Sequence, residues 1–262
     1  MPPLYGVLVA LGMACGVGVG WILAPRTGLS RKAFSDVAFA ALVAGLLGAR
    51  LLFVLVEWET FRDLCASGQD CWAAVKVWKG GLVYYGGLLS GLAGGLAWAR
   101  FAGLPLADAA ALFAVGQPLG HAVGRAGCLV RGCCYGQVHA GLPWALEDRH
   151  PTAIYEIIGE GLLFALTLGV FLRETRRDRP RLWRPLGVYL GSYAALRFLV
   201  ECFRGDPQRG FLVGLDTPGL AGALGLPPDA PLLLSVSQGL SLLVLAGVVL
   251  AVFLRRGTPT GQ

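Results

Sequence analysis

Charge is scarce in this 262-residue chain: Asp, Glu, Lys and Arg make up 15% of it, against about 25% in soluble globular domains. That deficit leaves too little polar surface to clothe a soluble globule. The chain also has no internal repeat, no P-loop and no zinc metalloprotease motif, which excludes solenoid architectures, P-loop nucleotide hydrolysis and that class of metallopeptidase. No basic residue precedes the first apolar run, so that run reads as mature structure rather than a cleavable signal. What remains is 55% hydrophobic with a mean hydropathy of +0.64. The sequence therefore predicts an all-α polytopic membrane protein, with residues 1–262 forming a single integral membrane domain.

Crossing a hydrocarbon core takes about 20 apolar residues. Seven stretches qualify, near 4–24, 37–57, 81–101, 106–124, 152–172, 186–203 and 232–254. Basic residues in short loops stay cytoplasmic. The loops after spans one, three, five and seven hold twelve Lys and Arg, among them Arg31, Lys32, Arg176 and Arg255, against eight on the other side mixed with acids. The N-terminus is expected outside and the C-terminus in the cytoplasm. The net charge of +6 then sits in membrane-flanking loops against anionic lipid headgroups, and no nucleic acid is expected as a partner. Cys65 and Cys71 fall in one outer loop, where an oxidising exterior permits a disulfide or leaves two thiols. Cys15 and Cys202 read as small packing residues. Of the longer outer connections, 57–80 and 205–231, the second is rich in Gly, Pro and Leu and suits an interfacial lid or arm.

An ionisable group inside a membrane costs about 2.5 kcal/mol or more, so each is a functional candidate. Under the expected orientation these groups gather in the outer half: Tyr5, Arg50, Tyr84, Tyr85, His121, Arg125, Tyr155, Glu156, Glu160, Tyr193, Arg197, Glu201 and Arg204. Individually each has an ordinary explanation. Tyrosines anchor at interfaces, and Arg197 with Glu201, four residues apart, can pair simply to fix helix packing. Together they suit an anionic phospholipid headgroup, because guanidinium groups grip phosphate in forked geometry. Gly80-Gly81 and Gly86-Gly87 bracket Tyr84 and Tyr85, and both pairs are expected to bend the backbone around a polar cavity.

Five ordered motifs resemble the phosphatidylglycerol:prolipoprotein diacylglyceryl transferases of bacterial inner membranes. They are Tyr5-Gly6, the stretch Gly80 to Gly87, Gly124-Arg125-Ala126-Gly127 closing at Gly136, His150-Pro151 with Tyr155-Glu156, and Tyr193 with Arg197, Glu201 and Arg204. The resemblance implies a monomer at the inner membrane, working toward the outer leaflet without cofactor or metal. Its reaction moves a diacylglyceryl group from phosphatidylglycerol to the cysteine thiol in a prolipoprotein signal peptide, leaving glycerol phosphate. On that likeness the catalytic set is Arg125, Arg197, Glu201, Tyr85 and Glu156, with Arg125 and Arg197 on phosphate and Glu201 orienting Arg197. The substrate-binding set is Tyr5, Arg50, His121, Gly127, Gly136, His150, Tyr155, Tyr193 and Arg204.

Three positions depart from the family's pattern. Tyr85 stands where relatives carry a histidine, and a phenol is a poor base at neutral pH. Cys128 and Cys133 replace an asparagine and a glutamate. Either Glu156 or His121 serves as base, or the scaffold acts on another lipid or acceptor. Cys128, Cys133 and Cys134 form a possible thiol site, with Arg125 and Arg131 near enough to favour thiolates. The same three with His139 make four soft ligands, although their spacing matches no common zinc module. Small cysteines filling a tight helix–loop junction would do neither.

Overall fold

The apolar runs become helices in a computed structural model that describes residues 3–68, 70–139, 141–205, 211–215 and 232–257. Among these residues are eight α-helices: α1 Pro3–Leu23, α2 Arg31–Val56, α3 Trp58–Ala66, α4 Tyr84–Phe101, α5 Leu106–Arg131, α6 Thr152–Glu174, α7 Trp183–Glu201 and α8 Val236–Gly257. A small antiparallel hairpin pairs β1, Phe211–Leu215, with β2, Leu232–Ser235. Four stretches are individually long and apolar enough to cross a membrane: Leu4–Thr27, Arg31–Val56, Thr152–Glu174 and Val236–Leu254. The protein is a helical, polytopic membrane protein. Helices α4, α5 and α7 occupy the other expected span positions. Glycines dilute the apolar content of α4, while α5 and α7 carry His121, Arg125, Arg197 and Glu201.

Boundaries moved where polar chemistry, rather than hydropathy, decides them. α5 runs on to Arg131, past the expected limit at 124, because its last turns find ion partners on α6. α2 begins at Arg31, since the Ser30 hydroxyl caps it by accepting from the Ala33 amide at 3.1 Å. Residues 232–235, expected to open the last span, are strand: a leucine run serves either structure, and pairing with β1 selects the strand. Residues 206–210 and 216–231, most of the expected lid or arm, lie outside the described residues.

The chain divides into two compact units, Gly20–Leu112 and Met1–Val19 with Phe113–Gln262. In the first, α2 packs on α4 so closely that a Cβ at Gly86 would lie 2.5 Å from the Gly48 carbonyl oxygen. Gly86 and Gly87 are thus helical contact residues. Only Gly80 and Gly81, at φ 87 and 77, turn the backbone as both pairs were expected to. The turn is gripped by Arg50, which is 7% exposed. Its Nε donates to the Ala74 carbonyl at 2.7 Å, Nη1 to Gly80 and Gly81 at 2.6 and 2.9 Å, and Nη2 to Ala73 at 2.6 Å. Cys65 and Cys71 are disulfide-bonded just before this stretch, and Lys76 pairs with Asp70 at 2.7 Å. In the second unit α6 packs on α7 and α7 on α8. The segment after α5 is stitched to the end of α7, with Gln137 donating to the Phe203 carbonyl at 2.8 Å and Gly205 to Tyr135 at 3.1 Å.

Candidate functional site

Helical periodicity builds the site in the second unit. His121 and Arg125 are one turn apart on α5, as are Glu156 and Glu160 on α6, and the two helices meet rung to rung. His121 Nδ1 lies 2.5 Å from Glu160 Oε1, and Arg125 Nε is ion-paired to Glu156 Oε2. From α7, Arg197 reaches Glu156 Oε1 at 3.0 Å and Glu201 Oε2 at 2.6 Å, and its Nη2 donates to Ser237 Oγ on α8 at 3.2 Å. Arg204, just past α7, stands 3.7 Å from the same Glu201 oxygen. The result is a chain of alternating charge, Arg125, Glu156, Arg197, Glu201, Arg204, drawn from three helices.

Burial makes this arrangement costly to assemble and strong once made. Glu156, Glu160 and Glu201 are 4%, 0% and 1% exposed. An isolated carboxylate at such depth is strongly disfavoured; shared guanidinium partners hold Glu156 and Glu201 there, and His121 faces Glu160. Along this chain three arginines divide two carboxylates, while the third buried acid, Glu160, faces His121. Arg125 Nη1 also reaches the soft sulfur of Cys128 at 3.8 Å.

Around this chain sit most of the residues singled out from sequence. Tyr193 lies edge-on to His121 with ring centroids 5.6 Å apart. The Arg131 guanidinium covers the Tyr5 ring at 5.1 Å, and a Cβ on Gly127 would stand 3.3 Å from that same ring. Gly136 accommodates the His150 backbone, where a Cβ would collide with the His150 carbonyl oxygen. Tyr155 accepts from Trp144 Nε1 at 2.9 Å and lies 3.1 Å from His150 Nδ1. Burial and the neighbouring His139 push the His150 imidazole below its ordinary value. Arg50 and Tyr85 belong to the other unit, where Tyr85 is 43% exposed on α4.

The three cysteines converge. Their sulfur atoms lie within 4.8 Å of one another, and His139, expected as a fourth soft ligand, instead faces the His150 ring at 5.3 Å. A hydrogen bond from Cys128 and the Arg125 and Arg204 guanidiniums hold the Cys134 thiol below its ordinary value against the opposing effect of burial, whereas burial pushes Cys133 up.

Sequence reasoning noted Glu160 but gave it no part, and missed Thr152, whose hydroxyl donates to the Cys134 carbonyl at 2.5 Å. The signal for Glu160 was present: a second acid one turn from Glu156, matched by His121 one turn from Arg125. Nothing in the sequence pointed to Thr152.

Comparison with known proteins bears on the same chain of residues. Residues 3–254 match the model of the family described as prolipoprotein diacylglyceryl transferase. A phosphatidylglycerol–prolipoprotein diacylglyceryl transferase of Vibrio vulnificus (strain YJ016) is 33% identical over 217 residues, covering 77% of this chain and 76% of the relative. One of Geobacter sulfurreducens is 32% identical over 225 residues, covering 80% and 81%. Another, of Parasynechococcus marenigrum, is 29% identical over 256 residues, covering 91% and 87%. A match across nearly the whole length, with relatives above 30% identity, places this chain in the prolipoprotein diacylglyceryl transferase family.

Proposed function

We propose that this protein transfers the diacylglyceryl group of phosphatidylglycerol to the thiol of a prolipoprotein signal peptide, as a monomer in the cytoplasmic membrane. In this reading seven helices span, the N-terminus is outside, the C-terminus is cytoplasmic and the site opens to the outer leaflet. The disulfide in the segment between α3 and α4 supports an oxidising environment for that face. The observation that carries the reading is the buried chain Arg125–Glu156–Arg197–Glu201–Arg204.

The chemistry needs such a chain. An acceptor thiolate attacks the glyceryl carbon that bears the phosphodiester oxygen, a carbon–sulfur bond forms, and the carbon–oxygen bond breaks. The departing glycerol phosphate gains a negative charge as it leaves. Guanidinium groups fixed in place stabilise that growing charge most in a water-poor site, because they need no reorganisation at the moment of reaction. Glu156 and Glu201 fix the guanidinium planes of Arg125, Arg197 and Arg204. Tyr5 and Tyr193 hydrogen-bond lipid oxygens, and Gly127 and Gly136 keep backbone close enough to pack the site.

The test is transfer itself. Purified protein with labelled phosphatidylglycerol and a signal peptide bearing the acceptor cysteine is expected to yield a labelled thioether peptide. The gene is expected to rescue a strain depleted of its own transferase, and Arg125→Ala to abolish that rescue. Absence of transfer beside an active relative refutes the reading.

A further inference from the structure

The three clustered cysteines are chemically capable side chains that the phosphate-binding chain does not use. Their convergence is built into the backbone. Gly132, at φ 68, ends α5: its amide donates to the Leu129 carbonyl and the Cys133 amide to the Cys128 carbonyl, each at 3.2 Å. That pair of bonds is a Schellman motif, which brings the side chain just past the turn against the one five residues earlier. The contact is usually between apolar residues, and here it joins Cys133 to Cys128. Cys134 follows in the left-handed region at φ 58, a conformation costing about 1–3 kcal/mol for a residue other than glycine. Its carbonyl is anchored by Thr152, and its sulfur completes the triad.

We propose that Cys128, Cys133 and Cys134 bind one zinc ion through three thiolates, and that its open fourth position takes the acceptor cysteine of the prolipoprotein as a thiolate. The acceptor role rests on the transfer reading above; the zinc site stands on the sulfur geometry. Tetrahedral zinc with bonds of about 2.3 Å needs sulfurs about 3.8 Å apart, within reach of a cluster already inside 4.8 Å. Three protein ligands and one vacancy are the pattern of a reactive rather than a structural zinc.

Charge fits as well. Three thiolates around Zn2+ leave a net charge of −1, and the acceptor thiolate makes it −2. Arg125, with Nη1 3.8 Å from the Cys128 sulfur, and Arg204, facing Cys134, supply the compensating positive charge.

The step balances without redox chemistry. The acceptor thiol binds zinc and releases its proton to solvent, because a coordinating thiol is deprotonated outright. Its sulfur pair then forms the bond to the glyceryl carbon, and the carbon–oxygen electron pair leaves on glycerol phosphate. One singly charged lipid and one thiolate give a neutral thioether and a dianion. Zinc thereby generates the nucleophile that Tyr85 is too weak a base to make.

Elemental analysis of the full-length protein, purified without a histidine tag, is expected to find about one zinc per chain, falling at least about tenfold in Cys128→Ser and in Cys133→Ser/Cys134→Ser. Exchange for cobalt gives a readout independent of turnover. Thiolate-to-cobalt absorption is expected in the wild type, and a signal peptide carrying the acceptor cysteine is expected to strengthen it, whereas the same peptide with serine leaves it unmoved. Absence of zinc, copper in its place, a Cys128–Cys133 or Cys128–Cys134 disulfide in mapped peptides, or a cobalt spectrum indifferent to the cysteine peptide each overturns the proposal. Full transfer by the triple Cys→Ser variant also overturns it and leaves the transfer reading intact. Zinc bound by a wild type that transfers nothing refutes the transfer reading, and the acceptor role with it.

Discussion

Two buried arginine environments divide this molecule. In the first unit Arg50 donates to four backbone carbonyls, all from residues 73–81. In the second, Arg125 and Arg197 are held by carboxylate side chains of α6 and α7. Carbonyl partners are part of the chain's own path, so a guanidinium that gathers four of them fixes a loop and closes its fork to other acceptors. Carboxylate partners fix the guanidinium itself and leave the loop alone. The first arrangement makes an arginine a clasp, and under the proposed function the second leaves it to act on phosphate; Arg50, grouped with the substrate-binding residues in the sequence expectation, holds backbone carbonyls.

The sharpest way to break that contrast is to remove the shared carboxylate. Glu156→Gln keeps shape but withdraws the charge that holds Arg125 and Arg197 together, and kcat/KM for labelled phosphatidylglycerol is expected to fall about 10³-fold with the fold retained. Arg125→Lys comes next. A lysine keeps the charge but cannot present a planar fork to phosphate, so a loss of about 10²-fold is expected, chiefly in kcat. Wild-type turnover in either variant would mean that the chain of ion pairs only braces helices.

Arg50→Met is expected to behave in the opposite way. It strands the carbonyls of residues 73, 74, 80 and 81, and hydrogen bonds from a charged donor contribute about 1.5–3 kcal/mol each, with incomplete additivity. The expected result is a loss of about 3 kcal/mol in unfolding stability measured in detergent, with turnover per folded molecule changing less than in Arg125→Lys. A turnover loss larger than that of Arg125→Lys would move Arg50 into the same class and dissolve the comparison.

The same contrast explains which parts could be read from sequence. Helix positions follow from apolar runs, because hydropathy is a property of single residues and needs no knowledge of partners. The last turns of α5 were hidden, since Arg125, Cys128 and Arg131 look like the end of a span until Glu156 is placed opposite Arg125. Arg197 with Glu201 was legible from its four-residue spacing, whereas Arg50 was not legible as a clasp: backbone carbonyls exist at every position and leave no mark in the sequence. The strand at 232–235 was invisible for a related reason, as its partner lies at 211–215 and a short leucine run prefers neither structure. The cysteine triad could be suspected from proximity in the chain. The exclusion of His139 depended on a ring contact with His150 that spacing does not encode.

The smallest expected effect tests whether the first unit's segment between α3 and α4 is a single structural device. The Cys65–Cys71 bridge closes a loop with a sequence separation of only 6, and the chain-entropy relation gives such a short loop about 2 kcal/mol. The bridge ends two residues before Ala73, whose carbonyl Arg50 holds. If both restrain the same stretch of backbone, losing either one frees residues that the other was ordering, and the second loss then costs less. Cys65→Ser/Cys71→Ser is therefore expected to lower stability by less than Arg50→Met, and the combination to fall short of the sum by about 0.5 kcal/mol or more. Protease sensitivity confined to residues 57–80 would accompany both changes, with diacylglyceryl transfer per folded molecule nearly unaltered by the cysteine change. Strict additivity would separate disulfide from clasp and leave Arg50 to order the turn at Gly80 and Gly81 alone.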